Sequence, residues 1–184
     1  MAVLRNGGKQ RAELGMHRTG LIFLSAIACA VGVLGNVATA NSNEKRILGW
    51  VEKVRILPEN LILTAKLDTG ANTTTVHASG LTEFERNGRP WVRFSIPDRS
   101  GNTAMFERPV VRVVRVRRSD SATTTRPVVM LVICVGNRFR EEAVTLTNRS
   151  HLNYPVLLGR SAMEGRIIVS SSRKFTFKPD CIGR

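Results

Sequence analysis

The sequence predicts an all-β fold in one domain, a barrel that is closed or nearly so, and three observations carry that expectation. From Ile47 onward the chain is a series of short runs of β-formers punctuated by turn residues. One of those runs, Val128–Val135, is apolar at successive positions, as suits a strand covered on both faces. Only one stretch, Ser161–Gly165, suggests a helix, and it is short. Many short strands dispose of their edges most completely by closing on one another.

The elements follow in order. Ile47–Ile56 is the first strand, alternating from Trp50 on, and Pro58-Glu59-Asn60 turns the chain into a second over Leu61–Leu67. Asn87-Gly88 lies between Leu81–Arg86 and Trp91–Ile96, a strong hairpin signal because both turn residues tolerate positive φ. Pro97–Asn102 is a further turn. Pro109–Arg118 predicts one strand bearing arginines, which suit either a solvated outer face or a lining that meets an anionic ligand. Ser119–Thr125 reads as a polar loop before the central Val128–Val135 strand. Glu141–Thr147, Ile167–Val169 and Phe175–Phe177 complete the set, with Ser170-Ser171-Ser172 as a solvated loop.

The first forty residues have a different composition. Arg5, Lys9, Arg11 and Arg18 stand against Glu13 alone; an uncharged run, Leu21–Val37, follows and ends in Ala38-Thr39-Ala40. A basic start, an apolar middle and a small-x-small finish form a secretory signal, so residues 1–40 are expected to direct export and to be removed. The alternative is an uncleaved anchor, which would hold the protein at the membrane. Residues 41–46 then form a flexible start, and residues 47–184 the folded domain.

Charge and residue counts narrow the function classes. The chain carries 28 basic and 14 acidic residues, a net charge of +14. The basic residues are dispersed and the domain has few aromatics on which bases could stack, so nucleic acid is disfavoured as a partner. Two cysteines, Cys134 and Cys181, remain beyond the leader; they can pair after export, or Cys134 can be a buried thiol in its apolar strand. His77 and His151 lie in no metal-ligand spacing, and no metal site or cofactor is expected.

The chemistry centres on Asp68-Thr69-Gly70, directly after the apolar strand Leu61–Leu67. A carboxylate at a strand end supplies an acid–base group. The hydroxyl of Thr69 can brace the loop, and Gly70 allows close approach of another backbone. Downstream, Tyr154-Pro155-Val156-Leu157-Leu158-Gly159-Arg160 runs an apolar strand into a glycine and then the short helix. Together, Leu67–Ala71 and Val156–Arg160 resemble the retropepsin pattern of aspartic peptidases. The chain is most similar to the bacterial retropepsin-like proteins often labelled ATP-dependent zinc proteases. The resemblance extends through Ile47–Glu52, Ala65–Ala71, Thr73–Ala78, Trp91–Phe94, Arg126–Val129 and Asn148-Arg149. One departure is Val169-Ser170, where the family commonly has Val-Asp.

The resemblance implies an aspartic endopeptidase of the periplasm, acting on peptide or protein substrates that the basic balance suggests are acidic. One Asp-Thr-Gly is half a site, so a homodimer would bring two Asp68 carboxyls together as the catalytic pair. Thr69 would bond across the dimer axis, Gly70 would meet substrate backbone, and Ala71 and Thr73 would support the loop. Leu157, Leu158, Gly159 and Arg160 would form the strand crossing behind it. His77 is expected to be structural, and a flap is expected from the Asn87-Gly88 hairpin or the Asp98–Asn102 turn. The alternative function is a non-catalytic barrel that binds an anionic envelope component or peptide.

Overall fold

The computed structural model describes residues 44–98, 100–117 and 123–181. Eleven strands and one helical turn make up these residues: β1 (Arg46–Leu57), β2 (Leu61–Leu67), β3 (Thr74–His77), β4 (Ser79–Arg86), β5 (Arg89–Pro97), β6 (Thr103–Pro109), β7 (Arg112–Arg117), β8 (Thr123–Val135), β9 (Arg138–Thr147), β10 (Val156–Leu158), α1 (Arg160–Met163) and β11 (Ile167–Lys174). The all-β expectation holds.

Six strands close into a ring in the order β1, β2, β10, β3, β9, β8 and back to β1. Closure depends on β1 changing partner along its length. Residues 46–51 pair with β11, whereas Val54–Leu57 pair with Val132–Val135 of β8. The core inside the ring is aliphatic, with Val54, Ile56, Ala65, Val76, Leu131, Val144, Val156 and Leu158 all but inaccessible to solvent. Strands β4, β5 and β6 form a separate sheet whose Val92, Phe94, Ile96 and Phe106 join the same core, Phe94 and Phe106 stacking at 5.2 Å. Non-polar burial on this scale is the main favourable term in folding.

The expected elements need six corrections. Pro109–Arg118 is not one strand: Pro109 ends β6, which starts at Thr103, and β7 begins at Arg112. Pro109 closes the β5–β6 ladder opposite Trp91, a strand-end position that its missing N–H allows. Ser170-Ser171-Ser172 is strand, since β11 runs on beside β1 with Ser170 opposite Gly49. Phe175–Phe177 is not a strand, because Phe175 takes a left-handed turn (φ 53°) out of β11. The helix is α1, Arg160–Met163, one residue earlier than expected and ending before Gly165. Arg46, placed in the flexible start, already belongs to β1, and β8 begins inside the expected loop, at Thr123. Residues 1–43, the expected leader among them, lie outside the described residues.

The C-terminal tail returns to β1 without regular structure. Buried Glu52 accepts hydrogen bonds from the backbone N–H groups of Gly49, Thr176 and Phe177 and from the Thr176 hydroxyl. The Arg55 guanidinium donates to the Pro179 carbonyl, and Asp180 N–H to Gly136. Cys134 and Cys181 are joined in a disulfide, which decides the question their spacing left open.

Candidate active site

The Asp68 loop joins β2 to β3, yet these strands do not pair. Between them runs β10, parallel to β2 (Leu158 beside Leu67) and antiparallel to β3 (Val156 beside Val76). Asp68 N–H donates to the Leu158 carbonyl at 2.9 Å, and Ala71 N–H to the Asp68 carbonyl at 3.2 Å, so the loop folds tightly over the end of the crossing strand. From there the chain passes behind the loop. Arg160 N–H donates to the Ala71 carbonyl and Ser161 N–H to that of Asn72. Gly159 is required for this passage: a Cβ there would sit 2.5 Å from the backbone carbonyl of Thr73. Leu158 is buried and Leu157 half-buried.

The Asp68 side chain is 24% exposed, and Thr69 and Gly70 are at the surface. Its Oδ1 accepts from Gly70 N–H at 3.0 Å, and its Oδ2 lies 3.1 Å from the Lys66 ammonium. A Cβ on Gly70 would come within 3.2 Å of Oδ1, so this backbone approach suits glycine. Burial works to raise the Asp68 carboxyl, but the Lys66 bond, the Gly70 and Ala71 N–H groups and the Lys66 charge outweigh it. The net result is a carboxyl below its ordinary value.

The expected loop supports take different roles in the single chain. Thr69 is exposed, and Thr73 contributes its backbone against Gly159. The buried hydroxyl that braces the loop belongs to Thr74: it accepts from Gly159 N–H at 3.3 Å and donates to Glu142 Oε1 at 3.4 Å. Glu142, buried on β9, also accepts from the Ser161 hydroxyl and pairs with Arg140 at 3.4 Å. The Arg160 guanidinium donates to the Thr69 and Gly70 carbonyls at 3.0 and 3.2 Å, fixing the loop from outside. A run of three threonines leaves open which one turns inward. The alternation of β3 selects Thr74, Val76 and the even face.

His77 is part of a structural set. Its Nδ1 accepts from Arg149 N–H at 2.9 Å, and burial pushes the imidazole pKa down, the Thr147 carbonyl opposing and Arg149 adding to the shift. Arg149 reaches the Thr75 hydroxyl and the Tyr154 carbonyl, each at 3.2 Å. Burial lowers its pKa, repulsion from Arg126 on β8 adds to this, and attraction to Asp68 opposes it. A hollow of about 460 Å³ opens beside the loop, lined by Thr69, Asn72 and Arg160 on one side and Ile168 and Val169 of β11 on the other. The Asp98–Asn102 turn lines two surface hollows, one with Glu59–Ile62 and one with Lys53, Thr64 and Pro155. No group of three metal-ligating side chains occurs among the described residues.

Comparison with known proteins adds three findings. Residues 47–180 match the family model described as RimB-like, retropepsin-like aspartic endopeptidase RimB. A solved structure of a protein of unknown function from Legionella pneumophila is 40% identical. It superposes with a TM-score of 0.65, covering 73% of this chain and 100% of its own. Proteins named "Probable alpha-L-glutamate ligase" from Shewanella pealeana and Shewanella halifaxensis are 33% and 32% identical, each over 66% of this chain. The chain spans about a quarter of the length of these ligases, 26% in both cases.

Proposed function

The chain belongs to the RimB-like family of retropepsin-like aspartic endopeptidases, and from that premise we propose that it hydrolyses peptide bonds as an exported homodimer. The observation that carries this reading is Asp68 itself. It is a partly exposed carboxylate on a loop whose backbone is fixed by a crossing strand, and its neighbours Thr69 and Gly70 face outward. Each chain supplies one such carboxylate, so a complete pair needs a second copy related by a two-fold axis. The hollow between the loop and β11, with exposed Ile168 on its wall, suits part of that contact.

In the dimer the two Asp68 carboxyls share one proton, because two such charges held together do not both ionise readily. The ionised carboxyl takes a proton from a bound water as that water attacks the peptide carbonyl carbon. The protonated carboxyl donates to the carbonyl oxygen. Collapse of the tetrahedral intermediate, with a proton delivered to nitrogen, releases the amine. Arg160, by holding the Thr69 and Gly70 carbonyls, keeps the loop in position through these steps.

Acidic peptides are the proposed substrates. The excess of basic over acidic residues, the electrostatic reach of Arg149 to Asp68, and the glutamate chemistry in the names of longer relatives all support this. The ligase activity in those names belongs to proteins of which the match covers a quarter, and no ligase role is proposed for this chain. The Cys134–Cys181 disulfide supports an oxidising compartment, the periplasm by our reading, reached through the leader of residues 1–40 or with that segment kept as a membrane anchor.

The test is incubation of the purified protein with glutamate-rich and neutral peptides across pH 4–8, beside Asp68→Asn, with products read by mass spectrometry. Wild type should cut the acidic peptides, and the variant should be slower by roughly 10²–10⁴-fold. Absence of cuts by a folded, dimeric wild type would favour a barrel that binds anionic ligands without hydrolysing them.

A further inference from the structure

One charged neighbour of Asp68, Lys66, has no part in the chemistry above. It precedes Asp68 by two residues on β2, so both side chains leave the same face while Leu67 enters the core. Its ammonium lies 3.1 Å from Asp68 Oδ2, and Gly70 N–H already occupies Oδ1. Both carboxylate oxygens therefore have donors before any substrate arrives. The other charges around Asp68 come from different elements and are otherwise engaged. Arg160 of α1 bonds the Thr69 and Gly70 carbonyls, and Arg149, after β9, bonds Thr75 and Tyr154. Among the described residues, Lys66 is the cation in ion-pair contact with Asp68.

We propose that Lys66 is a positioning residue that favours the ionised form of the Asp68 carboxyl and sets the alkaline limit of the pH range in which the Asp68 pair holds its proton. The limit on activity rests on the peptidase reading; the hold on the carboxyl does not. In a two-fold dimer two ammoniums face two carboxyls, and they stabilise most the doubly ionised pair, which has no proton to give to the substrate carbonyl. Both macroscopic steps of the pair are thereby moved to lower pH. Removing the ammonium moves them upward, and the pair keeps its shared proton further toward neutrality.

The experiment follows the Asp68 carboxyl carbon by NMR titration in wild type, Lys66→Met and Lys66→Arg, with Asp68→Asn identifying the resonance. The pH dependence of kcat/KM is measured on the same proteins. In Lys66→Met the Asp68 titration and the alkaline limb of activity should both rise by about one unit. Lys66→Arg, which keeps the charge, should hold both within a few tenths of wild type. The difference should shrink at about 1 M salt, because Lys66 is partly exposed and screening is then strong. An unchanged Asp68 titration in folded Lys66→Met overturns the proposal. A shifted carboxyl with an unmoved alkaline limb overturns its claim on activity. A shifted carboxyl in a protein that cuts no peptide supports the ion-pair role and removes the peptidase reading instead.

Discussion

The Asp68 loop and the C-terminal tail are both irregular segments that close onto the barrel, and they are held by different means. The loop is fixed by backbone: β10 crosses beneath it, Gly159 lets two chain segments touch, and N–H groups of Asp68, Ala71, Arg160 and Ser161 find carbonyls within the crossing. The tail is fixed mainly through side chains, the Glu52 carboxylate, the Arg55 guanidinium and the Cys134–Cys181 bond, with backbone bonds from Phe175 and Asp180 to Val51 and Gly136. A site that must keep a carboxyl in place gains from backbone bracing, since it needs fewer rotamers frozen than side-chain bracing does. A tail that only needs anchoring can rely on a few strong contacts. The loop should therefore resist changes that release the tail.

Breaking the disulfide tests this most severely. It joins residues 47 apart in sequence, and a loop of that length corresponds to about 4 kcal/mol in the chain-entropy account. Cys134→Ser with Cys181→Ser should lower the unfolding free energy by about that amount, read from urea denaturation, while the amide resonances of residues 68–71 stay near their wild-type positions. Loss of the loop signals in a protein that is still folded would show that the two regions are coupled.

Gly159→Ala reverses the test. Its Cβ meets the Thr73 backbone rather than the end of a flexible side chain, so the crossing must open, at a cost of roughly 1–3 kcal/mol. Perturbed amides should centre on residues 68–75, with Thr176 and Phe177 unaffected, as two-dimensional NMR would show. The smallest effect is expected for Thr74→Val, which removes one buried hydroxyl between Gly159 and Glu142 and should cost about 1–2 kcal/mol. Urea denaturation beside Thr73→Val, an exposed control that should change little, measures it.

The same contrast explains what could be read from the sequence. Asp68-Thr69-Gly70 and Leu157-Leu158-Gly159-Arg160 are contiguous patterns, each with a local physical meaning, and the loop and its crossing strand were legible from them. Glu142 was not, because only the fold brings β9 behind β3 and α1. Lys66 is next to the loop in sequence, but a lysine on a strand suggests solvent until its ammonium is found against Oδ2. Glu52 and Thr176 are 124 residues apart, and no short-range pattern joins them. The tail therefore looked like a strand from its Phe-Thr-Phe alternation, and Phe175 in fact turns away.

The three-residue strand β10 also has a consequence for when this protein matures during synthesis. Gly70 and Arg160 are ninety residues apart, and the crossing strand and the Arg160 guanidinium that steady the Asp68 loop lie on the later side of that interval. A nascent chain that has exposed Asp68 but not yet Val156–Met163 has the carboxylate without its support. The backing of the loop is therefore withheld until Val156–Met163 have emerged, by the order in which the ribosome delivers its parts.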